Sequence, residues 1–434
     1  MPSPFLASLP LAPTAAALRS DQRELVSYIE DTCQRIESLD DELQALLPEA
    51  RRCERLLSEA QALQQRFPDP AQRPPLYGVL VGIKDMFHVS GFPTSAGSQL
   101  PASELTGEEA SCVSKLRAAG ALVLGKTVTT EMAYFEPGLT RNPHNLQYSP
   151  GGSSSGSAAA VAAGFCALAL GTQTIGSTIR PAAFCGIVGF KPTYGRISED
   201  GLILCSPSVD TVGIFTQDVA GSALAASWLC HDWRAVSLKD RPVLGIPEGP
   251  YLAQASSEGQ AAFAGQVEAL ERAGYRVQRV PALPDISEIN LRHRNLVHAE
   301  MAREHATWFA RYEGLYRPRT AQAIRAGQTI KASDLAAARA GRAKLRAELE
   351  ALIQRHEVDL WISPAAPGPA PEGITTTGDA IMNLPWTHAG LPAINLPAGY
   401  AANGLPLGLQ VVGKYMADEQ LLGWASELAS VVVR

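Results

Sequence analysis

Three stretches of this sequence carry side chains in spacings suited to chemistry. Residues 80–87 read LVGIKDMF, residues 149–164 read SPGGSSSGSAAAVAAG, and residues 171–193 read GTQTIGSTIRPAAFCGIVGFKPT. In the second stretch, Gly151 and Gly156 have the GxxxxG spacing of a phosphate-binding loop. Ser157 and Ala158 stand where that loop needs Lys and then Ser or Thr, so no cation would meet the β/γ-phosphates. Gly152–Ser153–Ser154–Ser155–Gly156 also satisfies G-x-S-x-G, with Ser154 as the formal nucleophile. That motif needs a buried strand directly before it. Residues 140–150, TRNPHNLQYSP, are polar and carry two prolines, which argues against it.

Lys84 ends an apolar run of strand type. A lysine leaving a buried strand loses solvation, which lowers its pKa and lets it serve as a neutral base. For a lone lysine the alternative is a strand-end side chain reaching back to solvent. Ser177 follows Gly176 in a loop of small residues. Backbone N–H groups at such a turn can point into one cavity and bind an oxyanion.

Together these stretches resemble the amidase signature family, over about residues 75–200 and again over 359–425, where LPAINLPAGYAANGLPLGLQVVG is similar to the family's closing motif. The resemblance implies a Ser–cis-Ser–Lys triad. Lys84 of the GIKD motif would be the base, and Ser153, the first serine after the double glycine, the bridge. Ser177 of T-x-x-G-S would be the nucleophile. It implies a cis peptide bond between Gly152 and Ser153, and an oxyanion hole from the N–H groups of Thr174, Ile175, Gly176 and Ser177. Gly152 and Thr172 would support the bridging serine, and Ser154, Ser155 and Ser157 would hold the loop.

Two departures from the family pattern stand out. Gln173 replaces an acid, and Ile175 replaces a glycine; isoleucine keeps the N–H but restricts the backbone. Arg180 lies three residues after Ser177, as in malonamidase-like members, where it binds the substrate's carboxylate. A guanidinium suits that role; the alternative is an arginine tied to backbone carbonyls.

The function so implied is hydrolysis of an amide C–N bond through a serine acyl-enzyme, with no metal and no organic cofactor. A carbamate hydrolase would use the same chemistry. A glutaminase subunit of a transamidating amidotransferase complex is a further alternative. The expected partner is a small-molecule amide or carbamate, and a homodimer is left open.

The elements that must position these residues follow from periodicity. YGVLVGIKD, ALVLGK, CALALG and GIVGFKP read as short strands, with EEASCVSKLRAAGA as a helix between the first two. VLGIPEG, a helix near 259–274 and YRVQRVPA form a second strand–helix–strand unit. DLWISPAAP resumes the strand pattern, a hairpin follows across the NG at 403–404, and ADEQLLGWASELASVVV closes as a helix. The fold expected is one α/β/α sandwich around a large mixed sheet spanning 1–434. It would have a helical arm over 1–75, with residues 1–20 loose, and a helical insert over 286–357 as a candidate cap on the active site. Within the short helix after the serines, Ser157 is expected as N-cap and Gly164 as the stop.

The formal net charge of -6 and the lack of a basic cluster argue against a nucleic-acid partner. No apolar run is long enough to span a bilayer. Seven scattered cysteines, an odd number with no CxxC pair, argue against a disulfide framework or a zinc site and fit a reduced, cytoplasmic compartment. The eight histidines show no ligand spacing.

Overall fold

Ten strands form one mixed sheet in a computed structural model that describes residues 3–238 and 240–432. They are β1 (Leu80–Lys84), β2 (Leu122–Thr127), β3 (Leu168–Gln173), β4 (Val188–Lys191), β5 (Thr211–Thr216), β6 (Leu244–Glu248), β7 (Val277–Pro281), β8 (Leu360–Pro364), β9 (Ala393–Tyr400) and β10 (Pro406–Val412). Their order is β2-β1-β3-β5-β4-β9-β10-β8-β6-β7. β1 runs parallel to both β2 and β3, and β6 parallel to both β7 and β8. The middle of the sheet is antiparallel. β1, β2 and β3 are buried along their whole length. This is why they read as continuous apolar runs rather than as alternating patterns.

Three helices precede the sheet: α1 (Leu11–Arg19), α2 (Leu25–Leu43) and α3 (Arg52–Arg66). Residues 1–20 are therefore not loose throughout. Pro10 is the N-cap of α1 and Pro13 lies in its first turn, where a missing N–H leaves no helical bond unmade. Leu11, Leu18, Leu25, Tyr28 and Ile29 are buried in the same core as the sheet. The cysteines, too, depart from the expectation that none is paired. Cys33 of α2 and Cys53 of α3 form a disulfide, with Cα atoms 5.9 Å apart. Their spacing in sequence gave no sign of it, because packing of one helix on the next brings them together. The other five cysteines are free and buried.

α4 (Ser111–Ala118) connects β1 to β2, and α5 (Ser155–Ala162) connects β2 to β3. α5 packs on β1, β2, β3 and β5, and it touches α6 (Ile179–Phe184). α7 (Val219–Leu229) packs on β4 and β5, α8 (Ser257–Arg272) on β7, β8 and β10, and α14 (Asp418–Val432) on β9 and β10. Asp218 and Ser256 cap α7 and α8 by accepting from Gly221 and Gly259 N–H groups. α9 (Ile286–Glu304), α10 (Ala306–Tyr312), α11 (Pro318–Gln328) and α12 (Ala332–His356) form the helical block, and α13 (Leu384–Ala389) packs on α9 and α12. No described helix is long and apolar enough to cross a membrane. β5, α7 and α13 are not singled out by the sequence; α7 is rich in alanine and has no polar face, and β5 and α13 are only six residues long.

Candidate active site

The site lies where β1 and β3 end. Ile83 of β1 stands opposite Leu170 of β3, so the two parallel strands deliver Lys84 and Thr172 to the same edge of the sheet. In open α/β sheets such carboxyl ends are where ligands bind. Lys84 is fully buried. Its Nζ lies 2.7 Å from Ser153 Oγ and 2.7 Å from Thr172 Oγ1. Burial lowers its pKa to about 7, partly opposed by the charge of Asp210. The acid next to it in sequence does not hold it charged. Successive side chains along a strand point to opposite faces. Asp85 instead pairs with buried Lys126, Oδ1 to Nζ at 2.7 Å.

The Gly152–Ser153 peptide bond is cis. Its surroundings are close-packed. A Cβ on Gly152 would lie 2.7 Å from Thr377 Cγ2, and one on Gly151, which has φ of 81°, would lie 2.7 Å from Pro181 Cα. Only glycine fits either contact. The other serines hold the loop. Ser154 Oγ accepts from the Thr172 N–H and lies 3.2 Å from the Thr172 carbonyl. Ser155 donates to Val128 O at 3.3 Å, and Ser157 to Leu170 O at 2.9 Å. Ser157 is thus inside α5 and does not cap it; Ser154 occupies the N-cap position without a side-chain cap bond. Gly164, with φ of 67°, follows the end of the helix as expected.

Thr172 meets Lys84 rather than the bridging serine. Its hydroxyl and that of Ser153 are the two side-chain partners of the Lys84 nitrogen. Arg180, on α6, is bonded through both Nη atoms to the loops around it. It donates to Gly152 O at 2.6 Å, Gly378 O at 2.8 Å and Thr377 Oγ1 at 3.1 Å, while its Nε is buried without a partner. Of the two roles left open for Arg180, this geometry is the tie to backbone carbonyls. Desolvation lowers its pKa to about 10, so it stays charged at neutral pH.

After β3 the chain turns through Thr174, Ile175, Gly176 and Ser177. The N–H groups of all four find no acceptor among the described residues. Three of their carbonyls are tied down, two of them from distant helices. Thr174 O accepts from His293 Nε2 at 3.1 Å, Ile175 O from Thr387 Oγ1 at 2.7 Å, and Gly176 O from the Arg180 N–H at 3.0 Å. Thr174 Oγ1 donates to Asp210 at 2.5 Å. Gln173, which stands in place of an acid, accepts through Oε1 from the Thr178 and Ile179 N–H groups and donates through Nε2 to Thr387 Oγ1. A neutral amide thus caps the start of α6 and also donates across to α13, which a carboxylate could not do.

Ser153, Thr174, Ile175, Ser177 and Arg180 line one cavity of about 290 Å³ together with Ala133, Tyr134, Phe135, Cys205 and Val297. Gly176 lies just outside that lining, packed on Asn383 and Ala380. Ser177 is 6% exposed. Tyr134 is held by His298, Oη to Nε2 at 2.8 Å. The wall residues and Asp210, His293 and Thr387 were not singled out in the sequence. Val297 and His293 fall in the block over 286–357 that was expected as a candidate cap, and no local motif marks the others. Asp210 is buried and its pKa is raised to about 6 by desolvation, against hydrogen bonds from Thr174, Ser206 and Cys205.

A family model described as Amidase matches residues 27–422. Among curated relatives, a glutamyl-tRNA(Gln) amidotransferase subunit from Oleidesulfovibrio alaskensis is 33% identical over 98% of this chain and 97% of its own length. The protein of the same name from Thermus thermophilus is 34% identical over 89% of this chain and 90% of its own. Among solved structures, a crystal structure of an amidase superimposes with a TM-score of 0.90 at 32% identity, covering 98% of this chain and 100% of that one. A peptide amidase from Stenotrophomonas maltophilia gives 0.82 at 26%, covering 98% and 97%.

Proposed function

The chain belongs to the amidase family, and from that premise we propose that it hydrolyses the C–N bond of small carboxamides through an acyl-enzyme on Ser177. The observation that carries this reading is the contact of 2.7 Å between buried Lys84 and Ser153 at the rim of the cavity that also holds Ser177. Neutral Lys84 accepts the proton of Ser153 as Ser153 takes that of Ser177. Ser177 Oγ bonds to the carbonyl carbon, and the π electrons move to the carbonyl oxygen. The N–H groups of Thr174, Ile175, Gly176 and Ser177 are the donors for that oxyanion. The C–N bond then breaks, and the proton returns through Ser153 to the leaving nitrogen. Water attacks the resulting ester through the same relay, which releases a carboxylic acid and regenerates Ser177.

The lining of the cavity supports this substrate class. Beside the serines its walls carry the apolar Ala133, Phe135, Ile175 and Val297, and Arg180 is the charged side chain in the lining. With its Nη atoms spent on the loop carbonyls, Arg180 acts as a clamp on the serine loop. A compact, neutral acyl group fits these surroundings best. Val297 on α9 makes the helical block one wall of the pocket, in the manner of a cap.

A second reading is a glutaminase subunit that delivers ammonia within an amidotransferase complex. It is favoured by the name shared by the curated relatives. Against it, the cavity lining contains no carboxylate to meet the ammonium group of glutamine. A panel of short neutral amides, acidic amides, anilides, carbamates and L-glutamine, assayed on wild type and Ser177→Ala, decides between them. Turnover of short neutral amides that vanishes in Ser177→Ala is expected. Turnover of glutamine alone selects the second reading. No turnover at all, or full activity in Ser177→Ala, contradicts both.

A further inference from the structure

We propose that His293 is a positioning residue for the oxyanion hole, acting on the Thr174–Ile175 peptide from the helical block, with its ring held in one tautomer by His388. The inference rests on the acyl-enzyme reading above and adds to it a residue outside the family-like motifs, more than a hundred positions away in sequence.

Peptide planarity couples the Thr174 carbonyl to the Ile175 N–H. In a trans peptide the C=O of one residue and the N–H of the next point in opposite directions. Fixing the Thr174 carbonyl therefore fixes the direction of the Ile175 N–H. That carbonyl can only accept, so the 3.1 Å contact requires the proton of His293 on Nε2. His293 is fully buried and burial lowers its pKa to about 4, so it is neutral at physiological pH and its Nδ1 is an acceptor. His388 Nδ1 lies 3.2 Å from that atom and must carry the proton between them. His388 is likewise buried, and its Nε2 has no partner. The chain of donors has one direction: His388 Nδ1–H to His293 Nδ1, then His293 Nε2–H to Thr174 O.

The effect on function follows from residue type. Ile175 stands where the resembled family has a glycine, and a β-branched residue is stiff rather than freely oriented. Its N–H has no acceptor among the described residues, and Ile175 lines the cavity. Preorganised donors stabilise developing charge because they need no reorganisation during reaction; losing one outright costs on the order of 100- to 1,000-fold in kcat. Loosening one donor should cost less. His293 is not part of the cavity lining; its ring meets Thr174 O and His388.

The test compares wild type, His293→Phe, His293→Gln and His388→Leu. Two readouts are needed: amide turnover, and the rate at which a fluorophosphonate probe labels Ser177, which also places an oxygen in the hole. His293→Phe should lower kcat and the labelling rate by roughly 10- to 100-fold, with KM within about threefold. His293→Gln, which keeps an N–H donor, should recover much of the loss. His388→Leu should lose several-fold in kcat, and it remains informative if His293→Phe fails to fold. A folded His293→Phe protein with wild-type kcat and labelling, or a loss confined to melting temperature, overturns the inference alone. A wild type whose Ser177 neither reacts with the probe nor turns over any amide removes the underlying reading, and this inference with it.

Discussion

The guanidinium of Arg180 donates to the carbonyl oxygen of Gly152 at 2.6 Å, the residue whose peptide bond to Ser153 is cis. One side chain thus grips the backbone that aims the bridging hydroxyl. The same arginine reaches Gly378 and Thr377 on a distant loop. It closes the serine loop against the segment before α13.

Arg180→Ala should therefore lower kcat on neutral and acidic amides alike. Removing the guanidinium leaves the buried Gly152 carbonyl unpaired, at a cost of about 1–3 kcal/mol, and frees the half-buried Gly378 carbonyl. Steady-state kinetics on matched acidic and neutral amides checks this. A rise in KM restricted to acidic amides would instead assign Arg180 to a substrate carboxylate.

The pH profile should report Lys84. Its pKa is depressed to about 7 by burial. Below that pH it is protonated and cannot accept a proton, so kcat/KM should fall as pH drops through about 7 and level off above it. The charge of Asp210 raises the Lys84 pKa. Asp210→Asn should therefore move the acid limb to lower pH. An unmoved limb, or one shifted upward, would mean that another group titrates.

Ser153 and Ser154 are neighbours with opposite expectations. Ser153→Ala removes the proton bridge and should cost roughly 100- to 10,000-fold in kcat, the range for lost general acid–base catalysis. Ser154→Ala leaves the Thr172 N–H unpaired, which should cost about 1–3 kcal/mol of stability with the triad intact. Paired kinetics and urea titrations of the two variants separate the roles. Equal loss of activity in both would not.

Gly156 lies within α5, where its missing side chain lets the helix sit against the chain. A Cβ there would drive into the Ala45 carbonyl and the Val128 amide. Neither backbone atom can give way as a flexible side chain could. Gly156→Ala should destabilise the fold by about 1–3 kcal/mol or more, read as a lower urea midpoint with unchanged slope.

Lys84, Ser153 and Ser177 were legible in the sequence because each sits in a short local motif, with a strand end, a double glycine or a Gly-Ser turn beside it. The strands of the sheet were legible for a similar reason, as apolar runs bounded by glycine and proline. What was not legible is contact between distant segments. His293 and Thr387 hold the carbonyls of Thr174 and Ile175 from helices 119 and 212 residues away. Cys33 and Cys53 meet because α2 and α3 pack side by side. α1 was hidden by its prolines, which sit where a helix tolerates them. Ser157 looked like a cap from its place before the alanines, but its hydroxyl bonds to β3 instead.

The central claim is a covalent ester on Ser177. Wild-type enzyme quenched in acid during turnover of a slowly deacylated amide should gain the mass of the acyl group, and peptide mapping should place it on Ser177, with no adduct in Ser177→Ala. An adduct on another residue, or an adduct and turnover that persist in Ser177→Ala, would contradict the account.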